Sequence, residues 1–300
     1  MVADGLVWPV SEPGWGKTTW VDSIKVGLGG NGANTSFTLA RLGTHVRLLS
    51  AVGADEFGAQ VLARLNQGGV DTGFVERSPD LPTASSVVLV HPNGQRALLH
   101  QPGASREAFR GGFDLSGSLS ADCSVLHLAN IFGMPGFQAY APKVMKQARE
   151  QGLSTSMDTA WDPQGLWMKT LGPCLPYTDV LFANEDETLL LTGAQEPERA
   201  AAILMEHGAT RVVVKLGSRG CLVGGPDGYF RSPGFQVETV DTTGAGDCFA
   251  GGFLAARQRG WDYAAAARFA NAVGALSVGS LGAVTGIRTF AKTVEWMEGQ

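Results

Sequence analysis

Apolar positions along the chain fall into two rhythms that take turns. Alternating, strand-like runs occupy 20–26, 45–52, 85–90 and 96–99, while nearly continuous apolar runs occupy 123–128, 153–157, 179–182 and 211–216. Between them, helical spacing appears at Ala33, Phe37 and Ala40, at Phe57, Val61, Leu62 and Leu65, across 139–151 and along the alanine-rich stretch 263–278. From Asp122 onward the order reads as βα repeats, which predicts a largely parallel sheet covered by helices. Two turn signals interrupt it: His91-Pro92-Asn93-Gly94 between a pair of short strands, and Gly225-Pro226-Asp227-Gly228 in a second hairpin. The first pair carries too little apolar mass to stand alone and is expected to form a flap on a larger body.

Composition narrows this picture. With 300 residues and 44% hydrophobic content the chain can bury one large α/β core, and 41 glycines suit many tight βα turns. A net charge of −5 argues against nucleic acid as a partner, because a phosphate backbone needs a basic surface. Cys123, Cys174, Cys221 and Cys248 are irregularly spaced without a C-x-x-C pair, so reduced thiols in a cytoplasmic protein are expected. Neither a membrane-length apolar run nor a signal-like N-terminus is present, so no membrane partner is expected.

The chemistry concentrates in Asp241-Thr242-Thr243-Gly244-Ala245-Gly246-Asp247-Cys248-Phe249, after the alternating stretch 235–240 and before helical spacing at Phe249, Phe253, Leu254 and Arg257. That arrangement predicts strand, glycine turn, helix. Backbone N–H groups of Gly244, Ala245, Gly246 and Asp247 at a helix start would form an anion site. A first-turn carboxylate often only offsets the helix dipole. Here Asp247 shares its turn with donors suited to a phosphate, so it could accept a hydroxyl proton while they hold a phosphoryl group. Cys248 adjoins this base, where a helix start could lower its pKa, but a small buried packing residue is the preferred reading.

This string closely resembles the second signature of the ribokinase-like (PfkB) sugar kinases, D-T-x-G-A-G-D-x-F, whose last Asp is the catalytic base. Gly27-Leu28-Gly29-Gly30-Asn31-Gly32-Ala33-Asn34, followed by Arg41-Leu42-Gly43, resembles the first signature. It also satisfies G-x-G-x-x-G, but the next strand closes on Ala51-Val52-Gly53, with Asp55 beyond the place of a dinucleotide-binding acid. Ser11-Glu12-Pro13-Gly14-Trp15-Gly16-Lys17-Thr18-Thr19 lacks the first glycine of a P-loop and precedes a strand, so that reading is rejected.

By the resemblance, Asp4, Gly29, Gly30 and Asn34 line the sugar pocket, with Asn130 at the end of a strand nearby. Lys215, Gly217, Ser218 and Gly220 resemble the K-x-G-x-x-G segment at the nucleotide, and Asn271 takes the adenine-side position. Asn184 and Glu187 match N-x-x-E, which organises Mg²⁺ and its waters; three acids opening a helix could also be dipole compensation alone. Ser280-Leu281-Gly282-Ala283 resembles the loop whose carbonyls, with Asp241 and Thr243, hold potassium in many relatives. Asp158 to Asp162 stands where relatives often carry D-x-N; the Asn is replaced, and no role is carried over. Only three residues precede Asp4. Most of the family's first strand is therefore expected to be missing, through a late start site or with another segment filling the gap.

The implied fold is one ribokinase-like α/β domain over 1–300, a three-layer α/β/α arrangement with lid segments at about 10–28 and 83–102 making a small β-sheet. Arg96 and His100 on the lid read as exposed charge or as substrate contacts. The implied reaction transfers the γ-phosphoryl group of ATP to a sugar hydroxyl with Mg²⁺, in a homodimer formed through the lid. A nucleoside or vitamin kinase shares every motif. A non-catalytic sugar-binding relative and a nicotinamide-dependent dehydrogenase are the readings from other classes.

Overall fold

A computed structural model describes residues 1–92, 96–115 and 117–300, so the Asn93-Gly94 part of the expected lid turn lies outside the described residues. The chain divides into two compact units. The first takes residues 1–105, 237–251 and 273–299; the second takes 106–236 and 252–272.

In the first unit the elements are β1 (Val2–Trp8), β2 (Ser23–Gly29), α1 (Asn31–Arg41), β3 (Ser50–Gly53), α2 (Glu56–Gln67), β4 (Val75–Ser78), β5 (Ser85–Val90) and β6 (Arg96–Gln101). Strands β2, β1, β5 and β6 form one sheet in that order, and β3 pairs with β4. Register puts Asp4 opposite Gly27 and Ser86, and Ser86 opposite His100. Because side chains alternate along a strand, Asp4, Ser86 and His100 share one face while Val26, Val87 and Leu99 share the other. Helix α2 buries Val61, Leu62 and Leu65, three of its four predicted apolar positions, and leaves Phe57 exposed. Asp55 starts it by accepting from Gly58 N at 2.8 Å, and it also accepts from Thr83 N at 2.8 Å, which fixes the entry to β5.

The second unit follows with β7 (Val125–Leu128), α3 (Ala141–Glu150), β8 (Ser154–Asp158), α4 (Met168–Leu171), β9 (Val180–Asn184), α5 (Glu185–Thr192), α6 (Pro197–Glu206), β10 (Arg211–Lys215), β11 (Cys221–Gly225) and β12 (Gly228–Ser232). Its sheet runs β12-β11-β10-β9-β8-β7; the four strands from β7 to β10 are parallel, and the hairpin β11–β12 closes one side. The parallel strands are the near-continuous apolar runs, as burial on both faces demands. Phe182 of β9 is fully buried, with the ring of Phe253 edge-on at 5.3 Å. Three helices complete the chain: α7 (Ala245–Gln258), α8 (Tyr263–Val278) and α9 (Phe290–Glu298).

Three expectations change. Residues 235–240 form no strand; they run exposed into the glycine turn, with Val240 N bonding to Val278 O in place of a ladder. Alternation alone did not supply a pairing partner. The strand expected across 45–52 is confined to Ser50–Gly53, with one isolated bridge between Arg47 and Asp71. Residues 2–8 form a full strand that joins the sheet of β2, β5 and β6, so this small sheet begins ahead of the expected lid boundary.

Candidate active site

In the first unit the two glycine motifs come together. Asp247 stands in the first turn of α7 and is only 7% exposed. Asn31 Nδ2 donates to its Oδ1 at 2.9 Å, and Asn34 Nδ2 donates to its Oδ2 at 2.8 Å. Both asparagines lie on α1 three residues apart, hence on one helix face. Two neutral amide donors thus fix the plane of the carboxylate. Asn34 was expected to line the sugar pocket, and here its amide holds Asp247. Asn31 was not expected at this site, although its spacing from Asn34 was a readable signal.

The turn before Asp247 is glycine by necessity at Gly244, where φ is 69° and a Cβ would come within 2.6 Å of the Ala283 methyl. Since α7 begins at Ala245, the N–H groups of Ala245, Gly246 and Asp247 belong to its first turn and have no i−4 helical acceptor. Asp241 braces the turn. Its Oδ1 accepts from Thr243 N at 2.9 Å and Thr243 Oγ1 at 2.6 Å, and its Oδ2 accepts from Gly282 N at 2.9 Å. Arg96 of β6 donates from Nη1 to Thr243 Oγ1 at 2.7 Å, a contact across 147 residues that ties the small sheet to the turn.

Asp4 lies against the backbone of Gly29, where a Cβ would fall 2.0 Å from Asp4 Oδ2, so glycine is required for that approach. Burial raises the Asp4 pKa; a hydrogen bond with Ser86 opposes the rise, and the charges of Asp241 and Asp247 add to it. Gly30 is the N-cap of α1, with φ at 88°. Cys248 is fully buried, takes a hydrogen bond from Thr38 Oγ1 at 3.4 Å, and has its thiol pushed up to about 12 by burial. It is a packing residue.

The second unit carries the remaining positions. Asn184 caps α5 by accepting from Glu187 N at 2.8 Å, while Glu187 Oε2 accepts from Asn184 N at 2.8 Å. The N-x-x-E spacing is therefore a capping box. Thr159 Oγ1 also donates to Glu187 Oε2 at 2.7 Å, whereas Oε1 takes no hydrogen bond among the described residues. Lys215 ends β10 with Nζ 2.6 Å from Asp158 Oδ1. Gly217, Ser218 and Arg219 make one 3₁₀ turn, closed by Gly220. Asn271 Nδ2 donates to Ser232 O and Pro233 O, each at 3.1 Å, and so shapes the wall beside that turn. Asn130 Oδ1 accepts from Gly133 N at 3.0 Å, holding the turn after β7. No disulfide joins any of the four cysteines, and no helix is long and apolar enough to cross a membrane, among the described residues.

An oriented carboxylate beside the amides of a helix start, in a mixed α/β fold with a parallel-rich sheet, is an arrangement that suits phosphoryl transfer to an alcohol. The comparisons with known proteins agree. Residues 13–289 match the pfkB family carbohydrate kinases, and the chain belongs to that family of ATP-dependent sugar kinases. It is 28% identical over 290 residues to the ribokinase of Haemophilus influenzae, covering 94% of this chain and 91% of that one. Among solved structures it resembles an Escherichia coli protein assigned as ribokinase II and solved with ATP and Mg²⁺, at TM-score 0.88 and 27% identity, over 99% and 96% of the two chains. It also resembles the Arabidopsis thaliana ribokinase complexed with ribose and ATP, at TM-score 0.85 and 25% identity, over 99% and 96%.

Proposed function

We propose that this kinase phosphorylates a small neutral sugar of the ribose or fructose type, with Asp247 as the base that takes the hydroxyl proton. The observation that carries this reading is the clasp of Asp247 by Asn31 and Asn34 beside Gly244, which aims the acid. Asp4, Asp241 and Asp247 are close enough in the first unit for their charges to raise the Asp4 pKa, which favours hydroxyl donors over an anionic acceptor. Asp4, Gly29, Gly30 and Asn34 orient that sugar, with Asn130 as a further contact. The first-turn amides of Gly244 to Asp247 hold the phosphoryl group in flight, so catalysis is mainly positioning and charge stabilisation.

Lys215, Gly217, Ser218 and Gly220 meet the nucleotide, and Asn271 supports the adenine side. Magnesium, when bound, offsets phosphate charge, and hard oxygens at Asn184 and Glu187 suit it through water. Glu187 fits because its Oε1 is not consumed by the capping box. Potassium is proposed at Asp241, which is 1% exposed, and Thr243, whose Oγ1 also receives Arg96 Nη1. The family match runs through both compact units, which supports reading them as parts of one ribokinase-like domain. The apolar face of the small sheet exposes Ile24 and, around a cleft of about 400 Å³, Val26, Val87 and Leu99, which supports a second copy docking there. Thiol usage supports a cytoplasmic setting.

The test is ADP release over ketoses, aldoses, sugar acids and nucleosides, with ATP and Mg²⁺. Turnover restricted to a nucleoside or a sugar acid would overturn the neutral-sugar reading, and sugar binding without any ADP release would make the protein a binding relative.

A further inference from the structure

Beyond Asp247, the described residues include a buried, directly paired acid and lysine, Asp158 and Lys215. Their side chains are 1% and 13% exposed, and Nζ to Oδ1 is 2.6 Å. They end β8 and β10, with β9 between them, so the lysine reaches across a strand to find its acid. Two residues after Lys215 begins the turn of Gly217 to Arg219. Stability alone is a poor reason for such a pair. Taking two charges out of water costs about as much as their attraction returns, and an apolar pair of similar volume commonly does as well.

Position offers a better reason. The pair sits at the carboxyl ends of parallel strands, where open α/β sheets bind ligands. An ammonium in contact with a carboxylate presents a nearly neutral dipole to a group several ångströms away, whereas a lone ammonium there would attract phosphates strongly. An ammonium has three N–H donors, so one acid can fix it in place while cancelling much of its field.

We propose that Asp158 is a positioning residue that sets nucleotide affinity: it holds Lys215 at the phosphates and discharges it enough for ADP to leave. This rests on the reading that the turn after β10 binds the nucleotide. Removing the acid's charge should tighten the nucleotide by way of its phosphates alone and slow turnover at product release.

The experiment is calorimetric titration of magnesium-free ADP, and of adenosine, into the full chain, the Asp158→Asn variant and the Asp158→Asn/Lys215→Met double variant. Expected is ADP binding at least about 5-fold tighter in Asp158→Asn, with adenosine affinity unchanged. The double variant should lose that gain. ADP affinity equal to or weaker than that of the unmodified chain, in a variant that still melts cooperatively, overturns the proposal. A parallel tightening of adenosine also overturns it, since adenosine has no phosphate. Asp158→Ser, which leaves room for water on Nζ, serves if the Asn variant does not fold. Unfolding of both makes the pair structural and likewise overturns the proposal. If the unmodified chain bound no ADP at all, the nucleotide reading itself would fall, a result distinct from normal ADP binding that Asp158→Asn leaves unchanged.

Discussion

Asp247 in the first unit and Asp158 in the second are similarly hidden, 7% and 1% exposed, yet they are partnered in opposite ways. Asp247 receives two side-chain amides, neutral donors that orient the carboxylate. Asp158 receives an ammonium, which answers its charge directly. On the proposed reading, partner chemistry, not burial, separates an acid kept for proton transfer from one kept as a counter-ion. Substitutions in the two regions should therefore fail differently: the first in rate, the second in stability and affinity.

The largest effect is expected at the base. Asp247→Asn keeps the volume and removes the basicity, so kcat for ADP release should fall by about 10³-fold, within the span of general-base contributions. The asparagine must turn one donor toward another donor, so a small loss of stability is expected as well. Undiminished kcat with a proven sugar would remove Asp247 from the chemistry. Next comes Lys215→Met, which strands a buried carboxylate and should cost about 3–5 kcal/mol of stability. The Asp158→Asn/Lys215→Met double variant should recover most of that loss in urea melts. Equal destabilisation of single and double variants would show that the two side chains are not coupled.

A third substitution probes the clasp itself. Asn31→Ala removes the amide from Asp247 Oδ1 and keeps that of Asn34 on Oδ2, so the carboxylate can swing out of line. The expected result is a fall in kcat of about 10- to 100-fold with the ATP KM unchanged, since misplacement is charged to the transition state. A change confined to KM would instead make Asn31 a binding contact.

The glycine turns, the N-x-x-E pair and most elements of the sheet were readable because each is set by residues close together in sequence. Gly244 could be named in advance since backbone geometry selects glycine at such a turn, whereas Gly29 was named through the family resemblance. Contacts across long separations were not readable: Lys215 and Asp158 are 57 positions apart, and Arg96 reaches Thr243 across 147. Residues 235–240 show the converse error. They alternate like a strand, but a strand also needs a neighbour, and the local chain does not say whether one exists. The acids opening α5 were read as metal-side residues or as dipole compensation, and the capping box shows how the same spacing also serves the helix.

Acid and base limbs of stability give the subtlest separation of the two regions. Burial, with a further push from the Lys215 charge, lowers the His127 pKa from 6.5 to about 3. Between those values the unfolded chain takes up a proton that the folded chain refuses. His127 thus contributes fully above about pH 6.5 and loses its contribution as pH falls toward 3, at up to about 1.4 kcal/mol per pH unit. His127→Gln can keep the bond with Ser156 Oγ, now 2.9 Å from Nδ1, without titrating, so it should flatten the limb between pH 6 and 4. Asp4 has the opposite sign. Its pKa is raised, chiefly by burial, so its contribution is complete below its ordinary value of 3.8 and is lost as pH rises through the folded value. Asp4→Asn should therefore melt higher than the unmodified chain at pH 7 and show no advantage at pH 3, while its sugar KM rises. The gain in melting temperature should be on the order of 2 °C per kcal/mol recovered. An Asp4→Asn variant that melts lower at pH 7 would mean that the carboxylate is held by contacts stronger than its burial penalty. The contrast between an acid kept for sugar hydroxyls at some cost in stability and an acid answered by its own lysine would then fail on the sugar side.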